Sequence, residues 1–325
     1  MTPLLTVDDL AVEFATRDGV VRAVDGVSLE VGPGEILGVV GESGSGKSVT
    51  AMSVLGLVRP PGRVVRGSVR FDGEDLLALP ARRLRRIRGR RIAMIFQDPM
   101  TALNPVVPVG AQIAEAIKLH QPRLGRAAVR ARVLELLASV GVADPASRYG
   151  RHPHEYSGGM RQRAMIAMAL ANEPDLLIAD EPTTALDVTV QSQVLALLDT
   201  ARREAGAAAL LITHDLGVIA ELADRVAVMY AGRVVEHGDA HEVFATPRHP
   251  YTRGLLSSRP RLEATGDLVP IPGSPPDLLA PPPGCAFEPR CALAAGRAAC
   301  RADRPEPVAV AAGHLSACHF HEEPV

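Results

Sequence analysis

Cysteine is missing from the first 284 of the 325 residues, and its four copies all follow residue 280. A secreted domain stapled by disulfides does not distribute its thiols in this way, so that class is excluded. An excess of one charge is missing too. The formal net charge is −2, no general basic surplus argues for a nucleic-acid partner, and any anion site must be local. No apolar run approaches the roughly 18 to 20 residues that span a bilayer. The start Met1-Thr2-Pro3-Leu4 has no charged region ahead of a long apolar core. The expectation is a soluble, cytoplasmic chain. Its length and its 47% apolar content suffice for a buried core and for two domains.

Against these absences one stretch stands out. The apolar run Ile36-Leu37-Gly38-Val39-Val40 leads into Gly41, Glu42, Ser43, Gly44, Ser45, Gly46, Lys47 and Ser48, and a helix is expected to begin near Val49. The spacing G-x-x-x-x-G-K-S between a strand and a helix is that of a phosphate loop. Glycines let successive N–H groups turn inward, and the helix start adds its positive pole. Lys47 is placed to reach the β- and γ-phosphates, and the Ser48 hydroxyl to ligate a bridging magnesium ion. The alternative is a plain Gly/Ser turn, which the Lys-Ser pair argues against.

Around the loop the periodicity alternates between strand and helix. Leu4 to Phe14 and Val20 to Val31 read as strands. Phe14, the first aromatic in the chain, is a candidate for stacking on adenine, with a core role as the alternative. The arginines at 82, 83, 85, 86, 88, 90 and 91 read as a solvated helical face with an apolar stripe rather than a lipid or nucleic-acid surface. Ile92 to Phe96 reads as a buried strand that delivers Gln97 to a loop, where its amide can meet a metal or a water. Helices are expected over 111–120, 127–140 and 160–171, the last capped by Ser157 with Gly158 and Gly159 offering free N–H groups. Leu176 to Ala179 is an apolar strand that ends in Asp180 and Glu181. In a phosphate-loop protein Asp180 holds the magnesium through its shell and Glu181 polarises the attacking water. A last apolar strand, 208–212, ends near His214, on the sheet edge where ligands of open α/β folds bind.

The ordered set GESGSGKS, FQDP, YSGGMRQR, LLIADEPTTALD and THD resembles the nucleotide-binding subunits of ABC transporters over residues 4–245. The tail, with HPYT, IPGSPP and GCAFEPRC, resembles their oligopeptide, dipeptide and nickel importer branch. This resemblance implies an α/β fold: a P-loop NTPase (RecA-like) ABC ATPase core with an antiparallel β subdomain and an α-helical subdomain near 100–165. A C-terminal cysteine-containing extension over 246–325 follows. It implies ATP held between the phosphate loop of one subunit and Ser157-Gly158-Gly159 of another. Glu181 is then the catalytic base, His214 the γ-phosphate switch, Gln97 the link between magnesium and the transmembrane contact, and Asp187 part of the loop that crosses the dimer. Met160 and Tyr156 stand where the superfamily has glutamine and leucine, and neither change removes the serine hydroxyl or the glycine N–H groups.

Implied partners are a second ATPase subunit (copy or paralogue), two permeases and an extracytoplasmic binding protein, at the cytoplasmic face of the membrane, with no nucleic acid. A soluble ABC ATPase acting on ribosomes or DNA is the rival, disfavoured by a single phosphate loop and the lack of sustained heptads. Cys285, Cys291, Cys300 and Cys318 lack the paired C-x-x-C spacing of structural zinc. Their looser spacing suits a four-iron four-sulfur cluster, as the resemblance also implies; zinc and four free thiols are the alternatives.

Overall fold

The computed structural model describes residues 2–183, 188–258 and 270–323. Its strands are β1 (Leu5–Ala15), β2 (Val20–Val31), β3 (Ile36–Val40), β4 (Gly62–Phe71), β5 (Glu74–Asp75), β6 (Ile92–Ile95), β7 (Leu176–Asp180), β8 (Ala208–Ile212), β9 (Arg225–Tyr230), β10 (Arg233–Asp239), β11 (Val308–Ala311) and β12 (His314–Ser316). The chain divides into two compact units.

The first unit comprises Met1–Val31, Ile36–Leu77 and Thr213–Val325. Its antiparallel sheet runs β2-β1-β4-β5. Strict alternation along β1 breaks at Asp8 and Asp9, both exposed. There the register with β2 shifts, Asp9 takes a φ of 45°, and Leu10, Ala11 and Val12 are all buried as a result. Such a bulge bends the strand and re-aims the side chains that follow it. A second set of strands in this unit runs β11-β12-β10-β9-β3. β3 pairs in parallel with β9, and all five of its residues are buried, which accounts for its unbroken apolar sequence. β12 pairs antiparallel with β10, so the C-terminal hairpin extends this sheet.

The second unit comprises Gly32–Glu35 and Ala78–Ile212. Here β6, β7 and β8 pair in parallel in the order β8-β7-β6. The helices Val109–His120, Arg126–Ser139 and Gly158–Leu170 share a core that includes Ile113, Ile117, Val133, Leu137 and Ile166. These residues recur at helical spacing on one face of each segment, which is why the periodicity was legible. The arginine run begins as the helix Ala81–Ile87, with Leu84 and Ile87 buried and Arg82, Arg83, Arg85 and Arg86 exposed, as the solvated-face reading expects.

Two local expectations need correction. Phe96 lies beyond β6 and is 41% exposed, because the strand stops at Ile95 and the chain turns toward Gln97. The helix after the phosphate loop starts at Lys47, two residues earlier than the apolar pattern suggests, because Gly46 at φ 101° forms its cap. Among the described residues no helix is long and apolar enough to cross a membrane.

Candidate nucleotide site and thiol cavity

In the first unit β3 delivers the loop 41–48 to the start of the helix Lys47–Val54. Two glycines are sterically required. An added Cβ at Gly41 would strike the Met229 carbonyl oxygen, and one at Gly46 would lie 2.5 Å from that of Ala23. Both also sit at positive φ. The loop is held from outside as well: Gly232 N–H donates to the Ser45 carbonyl at 2.9 Å. Lys47 is only 5% exposed. Its ammonium donates to the carbonyls of Gly41 (2.7 Å) and Glu42 (2.9 Å) and lies 3.4 Å from Ser45 Oγ. A buried cation curled over backbone carbonyls exchanges those neutral partners for phosphate oxygens at a gain, since hydrogen bonds between charged groups are the stronger ones. Ser48 follows it in the first turn of the helix.

His214 is exposed in this unit. Thr213 N–H donates to the Val39 carbonyl at 3.2 Å, so His214 emerges at the same strand end as the phosphate loop. Phe14 closes β1 opposite Val21 and Gly62, and its ring lies where a Cβ on Gly62 would sit. The ring thus fills the space the glycine leaves.

The second unit carries Gln97, Asp180, Glu181 and the Ser157 turn. Asp180 is buried at the end of β7, whereas Glu181 turns away into a left-handed conformation with φ 46°. Neighbouring carboxylates thereby separate. Gln97 Nε2 donates to Glu181 Oε2 at 2.8 Å, which orients the carboxylate. Ser157 is the N-cap of the helix Gly158–Leu170: its Oγ accepts from Met160 N–H at 3.3 Å, and Gly158 is exposed in the first turn. That exposed helix start is a ready site for an anion. Asp187 lies outside the described residues.

The thiols are in the first unit. Cys285, Cys291, Cys300 and Cys318 line one small cavity with His249, Phe287 and Phe320. Burial pushes the Cys285 thiol up to about 11 and raises the other three, and thiolate charges in the same cavity reinforce the effect. Among the described residues, no three His, Cys, Asp or Glu side chains are placed to hold a single metal ion.

One set of contacts was not anticipated from the sequence. Arg290, one residue before Cys291, reaches back to the phosphate loop: its Nη1 donates to Glu42 Oε2 at 2.6 Å and its Nη2 to Glu42 Oε1 at 3.0 Å. The Glu42 N–H donates to the Tyr251 hydroxyl oxygen at 2.7 Å. Tyr230, Tyr251 and Phe287 pack around this junction with ring centroids 4.5 to 5.4 Å apart. The segments HPYT and EPRC were visible as tail motifs, but nothing in their spacing points 248 residues back to Glu42.

Residues 24–184 match the family model of the ABC transporter, and residues 235–300 that of the oligopeptide/dipeptide transporter, C-terminal region. The dipeptide transport ATP-binding protein DppD of Bacillus subtilis is 53% identical over 90% of this chain and 87% of its own length. The chain belongs to the ABC transporter ATP-binding proteins of the oligopeptide/dipeptide family. The oligopeptide transport ATP-binding protein OppD of Mycobacterium tuberculosis is 56% identical over 98% of this chain, which spans only about half, 52%, of that relative. Among solved structures, a dimeric post-hydrolysis state of the ATP-binding cassette MJ0796 bound to ADP and Pi has a TM-score of 0.66 at 26% identity. It covers 73% of this chain and 98% of its own. ATP and magnesium are typical ligands of this family. The descriptions of these relatives mention no iron–sulfur cluster, so that expectation finds no support in them.

Proposed function

We propose that this chain is the ATP-hydrolysing subunit of an importer for dipeptides or oligopeptides. The observation that carries the reading is the coexistence, in one chain, of a glycine-shaped loop with a buried lysine and a second, serine-capped helix start exposed to solvent. Two anion sites per chain suit ATP bound between two subunits, the phosphate loop of one and Ser157-Gly158-Gly159 of the other. Ser48, Gln97 and Asp180 are the residues assigned to magnesium, Glu181 to water activation and His214 to sensing the γ-phosphate. Closing around ATP adds helix-start contacts to phosphate, and hydrolysis removes the group that joins them, so the subunits part. Peptide cargo is favoured by the C-terminal match, with nickel the alternative that the resemblance of the tail implies. The test is co-purification with two membrane permeases followed by uptake in vesicles. Partners that are released by RNase or DNase instead would overturn it in favour of a ribosome- or DNA-directed ATPase.

We propose that the four thiols of this cavity hold a four-iron four-sulfur cluster, with zinc the alternative. Four sulfur donors line one small apolar cavity. Such a cluster would supply the positive charge that turns these buried thiols into thiolates. The chain's own residues supply the dry walls, Phe287 and Phe320, and the four sulfurs beside them. Anaerobic preparation should give a brown protein with iron and sulfide. A colourless one containing zinc and no iron refutes the cluster.

A further inference from the structure

Glu42 is a carboxylate inside a loop shaped for phosphate, which on charge alone should weaken nucleotide binding. Its placement is nevertheless tightly determined. The Arg290 guanidinium grips it at both oxygens, and that side chain is only 4% exposed. Arg290 is itself fixed by donation from Nε to the Pro272 carbonyl at 2.8 Å and from Nη1 to the Tyr230 hydroxyl at 3.3 Å. On the loop side, the Glu42 carbonyl is one of the two that accept from Lys47 Nζ, and its N–H is taken by Tyr251. One residue is therefore held at its side chain, its amide and its carbonyl, and the lysine that must meet phosphate hangs from that carbonyl.

We infer that Arg290 is a positioning residue for nucleotide binding: by clamping Glu42 it holds the phosphate loop and Lys47 ready for phosphate, so that the C-terminal extension sets ATP affinity. This rests on the reading of residues 41–48 as the nucleotide site. A bidentate arginine–carboxylate pair fixes orientation as well as distance, which a lysine cannot reproduce. The position of Arg290 in the turn between Phe287 and Cys291 also makes the geometry of the thiol cavity part of the same brace, since Arg290 N–H bonds the Phe287 carbonyl and Cys291 N–H that of Glu288.

The experiment is titration calorimetry of the purified full chain with magnesium and ATP. Glu42→Gln decides the matter by its sign. Pure charge repulsion makes this variant bind ATP more tightly than the wild type; the clamp makes it bind about five- to tenfold more weakly, in the usual range of coupling between sites. Arg290→Ala should show a similar loss, Arg290→Lys a smaller one, and Glu42→Gln/Arg290→Ala no more than either single change, because both break one contact. Glu42→Gln binding at or above wild-type strength, or losses that add in the double variant, overturns the inference. If Arg290→Ala fails to fold, the Glu42→Gln result stands alone. A wild-type chain that binds no ATP removes the nucleotide reading itself, and this inference with it.

Discussion

The phosphate loop and the thiol cavity lie in the same compact unit and are built by opposite means. The loop is positioned by backbone: a buried parallel strand before it, glycines that admit no Cβ, and a helix whose first residues are the functional ones. The cavity is built from short elements: turns at Glu288–Arg290 and Ala292–Ala294, the helix Ala298–Ala302 and the start of the helix Pro250–Ser257. Side chains hold it instead. Arg290 grips Glu42, Arg297 grips Glu323, and the buried pair His314–Glu236 ties β12 to β10 at 2.8 Å. A segment too small to bury much apolar surface relies on such cross-links, or on a metal, to stay ordered. Function dependent on backbone shape tolerates few substitutions at glycine, whereas function dependent on polar ties is sensitive to charge and pH.

That contrast can be broken on the loop side first. Lys47→Ala should remove measurable ATP binding, a loss of more than about hundredfold, since it deletes the buried ammonium of this loop, which the proposed function gives to phosphate. Calorimetry checks it, and tight ATP binding by this variant counts against the loop reading.

Acid should act mainly on the other side. His249 and His237 are driven down to about 3 and about 4 by burial, with nearby arginines adding to the effect, so both are neutral in the folded chain. Their unfolded value is near 6.5, so the unfolded chain binds protons first as pH falls. The stability they contribute is complete above pH 6.5 and is lost as pH drops toward 4. At pH 5 the loss is about 2 kcal/mol for each histidine, and chemical denaturation at pH 7 and pH 5 measures it. An unchanged midpoint would show that neither ring is buried neutral.

The smallest change sharpens the junction between the two regions. Tyr251→Phe removes the hydroxyl that accepts from Glu42 N–H and should cost about 1 to 2 kcal/mol, the penalty of an unpaired buried donor. Urea unfolding at neutral pH reads it directly, and a variant as stable as the wild type would mean that water replaces the hydroxyl.

How much of this was legible beforehand follows the same line. β3, the phosphate loop, β7 with its two carboxylates and the Ser157 cap could be read because each is a contiguous run whose chemistry depends on neighbours in sequence. Glu181 shows the limit of even that reading. The strand period separates it from Asp180, but its left-handed turn and its bond to Gln97, 84 residues away, are properties of the folded unit. Helix starts were shifted by caps, as at Lys47, because a glycine cap leaves no apolar signal. The extension was recognisable as a family tail and as a set of cysteines. The grip of Arg290 on Glu42 was not, since it needs two elements that meet only through the aromatic packing of Tyr230, Tyr251 and Phe287.

The proposal of ATP hydrolysis by a water-activating carboxylate is tested most directly by Glu181→Gln, in which the new amide oxygen can still accept from Gln97 while the charge is gone. ATP binding and turnover should be measured on the same sample. The account predicts that the variant holds magnesium and ATP as tightly as the wild type and hydrolyses it about a hundredfold more slowly or worse. Hydrolysis at the wild-type rate would contradict it.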